Sequence, residues 1–129
     1  MKKLLLGTLV LLGIQKVSAQ VNPTNRQVVL QAYWWDYWNT NYPNGWANYV
    51  TELAPRLAAM GVDAVWIPPT IKNAGTNSVG YSPFDQYDLG DKFQKNSTKT
   101  RMGDKDELLR MVAVLHANGI DVIQDVVLN

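Results

Sequence analysis

Three stretches of this sequence concentrate side chains able to do chemistry. The first is Tyr33-Trp34-Trp35-Asp36-Tyr37-Trp38. The second is Gly80-Tyr81-Ser82-Pro83-Phe84-Asp85-Gln86-Tyr87-Asp88-Leu89-Gly90-Asp91, and the third carries Asp125 and Asn129. Together they are rich in aromatic, carboxylate and amide groups. That mixture suits a sugar, because a pyranose packs its C–H face on a ring and offers hydroxyls to carboxylates and amides in paired hydrogen bonds. The same residues also suit plain core or loop packing, and composition alone does not separate the two. There is no Cys, and the single His, His116, falls in a helical stretch away from these clusters and reads as a surface residue.

The elements that would position these clusters follow from periodicity. Val28-Val29-Leu30-Gln31-Ala32-Tyr33 is a mostly apolar run that predicts a strand buried on both faces. Trp46, Val50, Leu53, Leu57 and Met60 recur at helical steps and predict a helix over 46–60, with Gly61 as its C′ residue. Pro55 lacks the N–H that would bond the Thr51 carbonyl, which predicts a kink or a restart. Asp63-Ala64-Val65-Trp66-Ile67 predicts a second buried strand, stopped by Pro68-Pro69. A long loop over 70–103 follows, rich in Gly, Asn, Ser and Asp, and loops of that length in a compact domain are usually functional. Asp104 with Glu107 predicts a capping box. The helix it starts has Leu108, Met111, Val112 and Leu115 as its apolar face and ends at Gly119. Residues 120–128 form a third, strongly apolar strand. The order β-α-β-loop-α-β implies parallel strands joined by right-handed crossovers. Pattern alone leaves open a piece of a Rossmann-like sheet or the start of a (β/α)8 barrel. The absence of a Gly-rich turn after the first strand counts against a dinucleotide site. In either fold the three clusters sit at the C-terminal ends of strands, where parallel α/β folds gather their functional residues.

Composition bounds the rest. A chain of 129 residues with 47% hydrophobic content is one folding domain at most. Its formal charge of +1 depends on Lys2, Lys3 and Lys16; without them nine basic residues face eleven acidic ones. That balance offers no electrostatic case for nucleic acid or an anionic membrane. Lys2 and Lys3, the uncharged run 4–14 and Val17-Ser18-Ala19 read as a secretory signal peptide over 1–19, cut after Ala19. The mature segment would be 20–129, secreted or periplasmic, with no membrane partner after cleavage. An exported chain without Cys should belong to a fold large enough to be stable without disulfides, so the mature segment reads as an incomplete one.

The second cluster, with Phe93-Gln94-Lys95 and Gly103-Asp104-Lys105-Asp106-Glu107-Leu108 after it, resembles the α-amylase family, glycoside hydrolase family 13. Gly61-Val62-Asp63-Ala64-Val65-Trp66-Ile67-Pro68-Pro69 resembles that family's second strand. Asp125-Val126-Val127-Leu128-Asn129 resembles its third-strand motif, Asp-x-x-x-Asn-His. These matches occur in order, and the resemblance covers Gln27 to the end of the sequence.

The resemblance implies an α/β fold, the N-terminal portion of a (β/α)8 TIM barrel of about three β/α units, truncated after the third strand. It implies calcium as cofactor, and hydrolysis of an α-1,4-glucan such as starch or glycogen with retention. Tyr81 resembles the tyrosine that stacks on the glucose beside the scissile bond. Asp125 resembles the aspartate that holds the polar network of the site and is not the nucleophile. Asn129 resembles an asparagine that gives calcium a side-chain oxygen. The nucleophile and acid/base would follow later strands, so this stretch carries no catalytic carboxylate and is expected to be inactive alone. Related readings are a glucanotransferase, a debranching enzyme or a non-catalytic α-glucan-binding protein. The sequence departs from the family at Asn96, where Gly is frequent, and at Met102-Gly103, where Tyr-Gly is frequent.

Overall fold

A computed structural model describes residues 27–33, 35 and 45–128. The segment 1–19, Trp34, Asp36, Tyr37, Trp38 and Asn129 lie outside the described residues. The elements are β1 (Val29–Gln31), α1 (Trp46–Ala59), β2 (Ala64–Ile67), β3 (Lys72–Asn73), β4 (Pro83–Asp85), α2 (Lys105–Ala117) and β5 (Asp121–Gln124). Strands β1, β2 and β5 form one parallel sheet in that order, with Ala64 beside both Val29 and Asp121. A helix therefore joins each parallel pair, as the alternating periodicity predicts.

The strands are shorter than the apolar runs suggest. Pro68 and Pro69 follow β2 and carry no N–H, so the ladder from β2 to β5 ends at Ile67 and Gln124 apart from one bond, Asp125 N–H to the Ile67 carbonyl at 2.9 Å. Nor is β1 buried on both faces: Val28, Val29 and Leu30 are exposed. Among the described residues it is an edge of the sheet and pairs with β2 alone, so its apolar content has no described strand on the outer side.

The core forms between the sheet and the two helices. Trp46, Ala47, Val50, Ala54 and Leu57 of α1 meet Leu108, Met111 and Leu115 of α2 over Val65 and Ile67. The buried stripe of α1 is thus rotated from the expected one. Leu53 is only partly buried and Met60 is exposed, while Ala47 and Ala54 are buried. Small side chains at these two positions let α1 and α2 approach closely, and full burial of each large neighbour is worth roughly 1.5–3 kcal/mol. Trp46 closes one end of this core. Its indole N–H donates to the Ala32 carbonyl at 2.9 Å and its ring meets Tyr33 edge-on at 5.7 Å. Helix α1 continues through Pro55 without a restart. Pro55 is exposed, so the carbonyl left without its N–H partner lies on the solvent side.

Both helix ends follow their local chemistry. Gly61 and Gly119 take φ of +81° and +74° just past α1 and α2. At the start of α2 the Asp104 carboxylate accepts from the Glu107 N–H and the Glu107 carboxylate accepts from the Asp104 N–H, each at 2.9 Å. The Glu107 N–H first, and the Lys99 ammonium with it, hold the Asp104 carboxyl below its usual range. Its folded value is depressed, so the cap stabilises above the unfolded value of about 4 and is lost as pH falls through the folded one. Asp104→Ala should therefore cost about 1 kcal/mol at neutral pH. Urea titrations of both proteins check this; the gap between them should close in acid.

Candidate functional site

The long loop is not structureless. Residues Lys72–Asn73 and Pro83–Asp85 pair as antiparallel β3 and β4 with a bulge between Lys72 and Asn73. A buried charge sits at the centre of the loop. The Lys72 ammonium donates to the carbonyls of Lys92, Ser97 and Thr98 at 3.1, 2.8 and 2.7 Å. It also faces Asp88 Oδ2 at 3.3 Å, an ion-pair contact without hydrogen-bond alignment. The other Asp88 oxygen accepts from the N–H groups of Gly90, Asp91 and Lys92 at 2.8, 3.1 and 3.3 Å. Lys72 is 3% exposed and Asp88 0%, so the pair is interior. Water is excluded there, and the carbonyls and N–H groups replace it. Farther along, Lys95 and Asn96 both take positive φ, 52° and 62°, between the bridged residues Gln94 and Ser97. Asn is among the side chains that tolerate this conformation.

This loop delivers Tyr81 to the end of the sheet. Gly80 lies against Pro69 at φ +111°, and a Cβ there would stand 2.5 Å from the Pro69 oxygen. The buried Asn73 carboxamide oxygen accepts from the Ser82 N–H at 2.8 Å and the Ser78 hydroxyl at 3.2 Å. With Gly80 before it and Ser82 after it both held, Tyr81 points one way. Its hydroxyl donates to Asp125 Oδ2 at 2.7 Å. The Val126 N–H donates to the other Asp125 oxygen at 2.8 Å, which orients the carboxylate. Two further bonds tie the same segments: Gln86 Nε2 to the Val127 carbonyl at 2.7 Å and Gln124 Nε2 to the Thr70 hydroxyl at 2.9 Å.

Tyr81 and Asp125, both singled out by sequence, thus meet just past the C-terminal ends of the strands. Partial loss of water at the phenol, and then the bond to the Asp125 carboxylate and its charge, push Tyr81 up to about 12. It is a neutral hydrogen-bond donor at physiological pH. The exposed Trp35 ring lies 5.7 Å from the Tyr81 ring, tilted by 33°. With Tyr33, Gln31, Trp66 and Pro68 these rings line a shallow hollow over the end of the sheet. The arrangement offers two adjacent aromatic surfaces beside an oriented carboxylate.

Residues 25–129 match the family model described as the catalytic domain of alpha amylase. The chain belongs to the α-amylase family. It is 39% identical over 113 residues to a glucan 1,4-alpha-maltohexaosidase of Bacillus sp. (strain 707), covering 88% of this chain and 21% of that protein. It is 40% identical over 112 residues to a cytoplasmic alpha-amylase of Escherichia coli (strain K12), covering 84% of this chain and 21% of the relative. It is 45% identical over 73 residues to an alpha-amylase of Bacillus licheniformis, covering 57% and 14% respectively. The chain therefore spans about a fifth or less of the length of these relatives.

Family membership implies calcium. It takes about six to eight oxygen ligands. Among the described residues no group of three or more His, Asp or Glu side chains could hold a metal, and Asn129 lies outside them. Sequence reasoning gave no role to Lys72 or Asn73 and named Asp88 only as one member of the second cluster. Two signals were present. Lys72 follows Pro68-Pro69-Thr70-Ile71, an apolar stretch where a charge needs partners. Asp88-Leu89-Gly90-Asp91 has the Asp-x-Gly form whose carboxylate accepts from N–H groups two residues on.

Proposed function

We propose that this chain is the opening part of a (β/α)8 barrel in a secreted hydrolase of α-1,4-glucans that acts with retention. Residues 1–19 serve as its signal peptide and 20–129 as the first three β/α units. The observation that carries the reading is the Tyr81–Asp125 hydrogen bond with the Trp35 ring alongside, which joins three strand ends into one surface. Tyr81 stacks on the glucose ring beside the scissile bond, and Asp125 keeps both the phenol and a sugar hydroxyl in place. Asn129 contributes one oxygen to a calcium site completed by other residues. The relatives' names support the substrate class, since they include alpha-amylases and a maltohexaose-forming glucan hydrolase. The parallel β-α-β-α-β order with exposed apolar residues on β1 and β5 agrees with a sheet that continues into further strands. One relative is named as cytoplasmic, so export rests on residues 1–19 alone.

A retaining glycosidase needs two carboxyl groups ~5–5.5 Å apart. The family resemblance puts both on strands after the third, so these 129 residues are expected to release no sugar by themselves. The test uses the intact protein and a maltooligosaccharide, following product anomers by NMR. The expected result is an α-anomeric product from the intact protein and none from the isolated 129-residue chain. Tyr81→Ala should weaken binding about tenfold, the equivalent of ~1.4 kcal/mol and within the range of a lost aromatic contact. Binding without turnover in the intact protein would mark a non-catalytic glucan-binding protein. No binding would remove the sugar reading. N-terminal sequencing of exported protein should begin at Gln20.

A further inference from the structure

We propose that Arg101 is a positioning residue that holds the Trp35 ring against Tyr81 by clamping two backbone segments together. The inference rests on the glucan-platform reading above. One Arg101 guanidinium nitrogen, Nη2, donates to the Trp35 carbonyl at 2.8 Å, and the other, Nη1, donates to the Asn77 carbonyl at 2.8 Å. Trp35 follows β1, whereas Asn77 lies between β3 and β4 in the stretch that leads into Gly80 and Tyr81. A single side chain therefore joins the segment bearing one ring of the platform to the segment bearing the other. The guanidinium carbon also lies 5.7 Å from the centroid of the Tyr33 ring, within cation–π range, so the clamp rests against one of the rings that line the hollow.

Two features make this more than an incidental contact. Trp35 is 65% exposed, so burial does little to fix its ring. Arg101 itself is well anchored: it precedes Met102, which is 2% exposed, in the segment that enters α2. The task also matches guanidinium chemistry. Its donors point in fixed in-plane directions and can serve two carbonyls on separate segments, while a lysine offers one nitrogen at the end of a flexible stem. Arg101 acts through Trp35.

The experiment compares Arg101→Lys, Trp35→Ala and the double variant in the intact protein, on maltooligosaccharides long enough to cover both rings. Arg101→Lys should raise KM about tenfold, equivalent to ~1.4 kcal/mol, with a much smaller change in kcat. The double variant should show no KM increase beyond that of Trp35→Ala. Backbone hydrogen exchange around Trp35 and Asn77 should quicken in Arg101→Lys. KM effects that multiply in the double variant would overturn the proposal, as would unchanged exchange at both segments. If the unaltered protein binds no α-glucan, the platform reading fails, and the exchange measurement still decides whether Arg101 holds Trp35.

Discussion

Lys72→Met should cost the intact protein about 3–5 kcal/mol of stability, because it removes one member of a buried, hydrogen-bonded charge pair. The substitution keeps the stem's apolar bulk and deletes only the ammonium. Asp88 then remains at 0% exposure with no cation beside it. The carbonyls of Lys92, Ser97 and Thr98 lose their shared donor at the same time. A surface ion pair would be worth no more than about 1 kcal/mol, so the two environments give clearly separate outcomes. Adding Asp88→Leu should recover part of the loss by removing the unpaired charge. Recovery should stay incomplete, since the Asp88 carboxylate also accepts from the N–H groups of Gly90, Asp91 and Lys92. Urea unfolding of the three proteins measures both steps. A loss below about 1 kcal/mol for Lys72→Met would mean that water reaches the pair and the charge is not interior.

The second large effect is expected at Gly80. Gly80→Ala places a Cβ 2.5 Å from the Pro69 oxygen and 2.8 Å from its Cδ, neither of which belongs to a flexible side chain. The residue also holds φ at +111°, where a side chain is strained whatever the space. Backbone strain of this kind costs about 1–3 kcal/mol, and the overlap adds roughly 1–3 more if the backbone does not move. Moving the backbone is the alternative relief, and it displaces Tyr81, the next residue, from Asp125. The variant should therefore lose stability, glucan affinity or both, with binding falling toward that of Tyr81→Ala where the backbone moves. Thermal unfolding and maltooligosaccharide titration on the same preparation divide the outcome between the two routes. Wild-type behaviour in both would show that the loop does not sit against Pro69 in solution.

Parts of this arrangement are legible in the sequence, and they share a physical character. The capping box at Asp104 and Glu107, the glycines that close both helices and the alternation of strand and helix all depend on residues a few positions apart. Their hydrogen bonds and steric limits act within one turn of chain, so the residue types suffice. Burial was less legible. Residues 28–33 read as a strand covered on both faces, yet β1 is a three-residue edge strand with exposed Val29 and Leu30. An apolar run shows that a strand has something to bury; its neighbours decide whether it does. The same limit shifted the buried stripe of α1 toward Ala47 and Ala54, because the position of α2 selects the face that is covered.

By itself the sequence determined the family, the order of the parallel strands and the two helices, and two of the residues that meet at the strand ends, Tyr81 and Asp125. Those rest on ordered motifs and on local periodicity. Only the tertiary structure decided that the Tyr81 phenol reaches the Asp125 carboxylate, that Trp35 lies beside that pair, and that Arg101 spans the segments behind it. It also decided the environment of Lys72, whose charge is tolerated because carbonyls from Lys92, Ser97 and Thr98 converge on one nitrogen. A hydrogen bond needs its partners within about 3 Å and aligned. For groups tens of residues apart, that condition is met only through the packing of the whole chain.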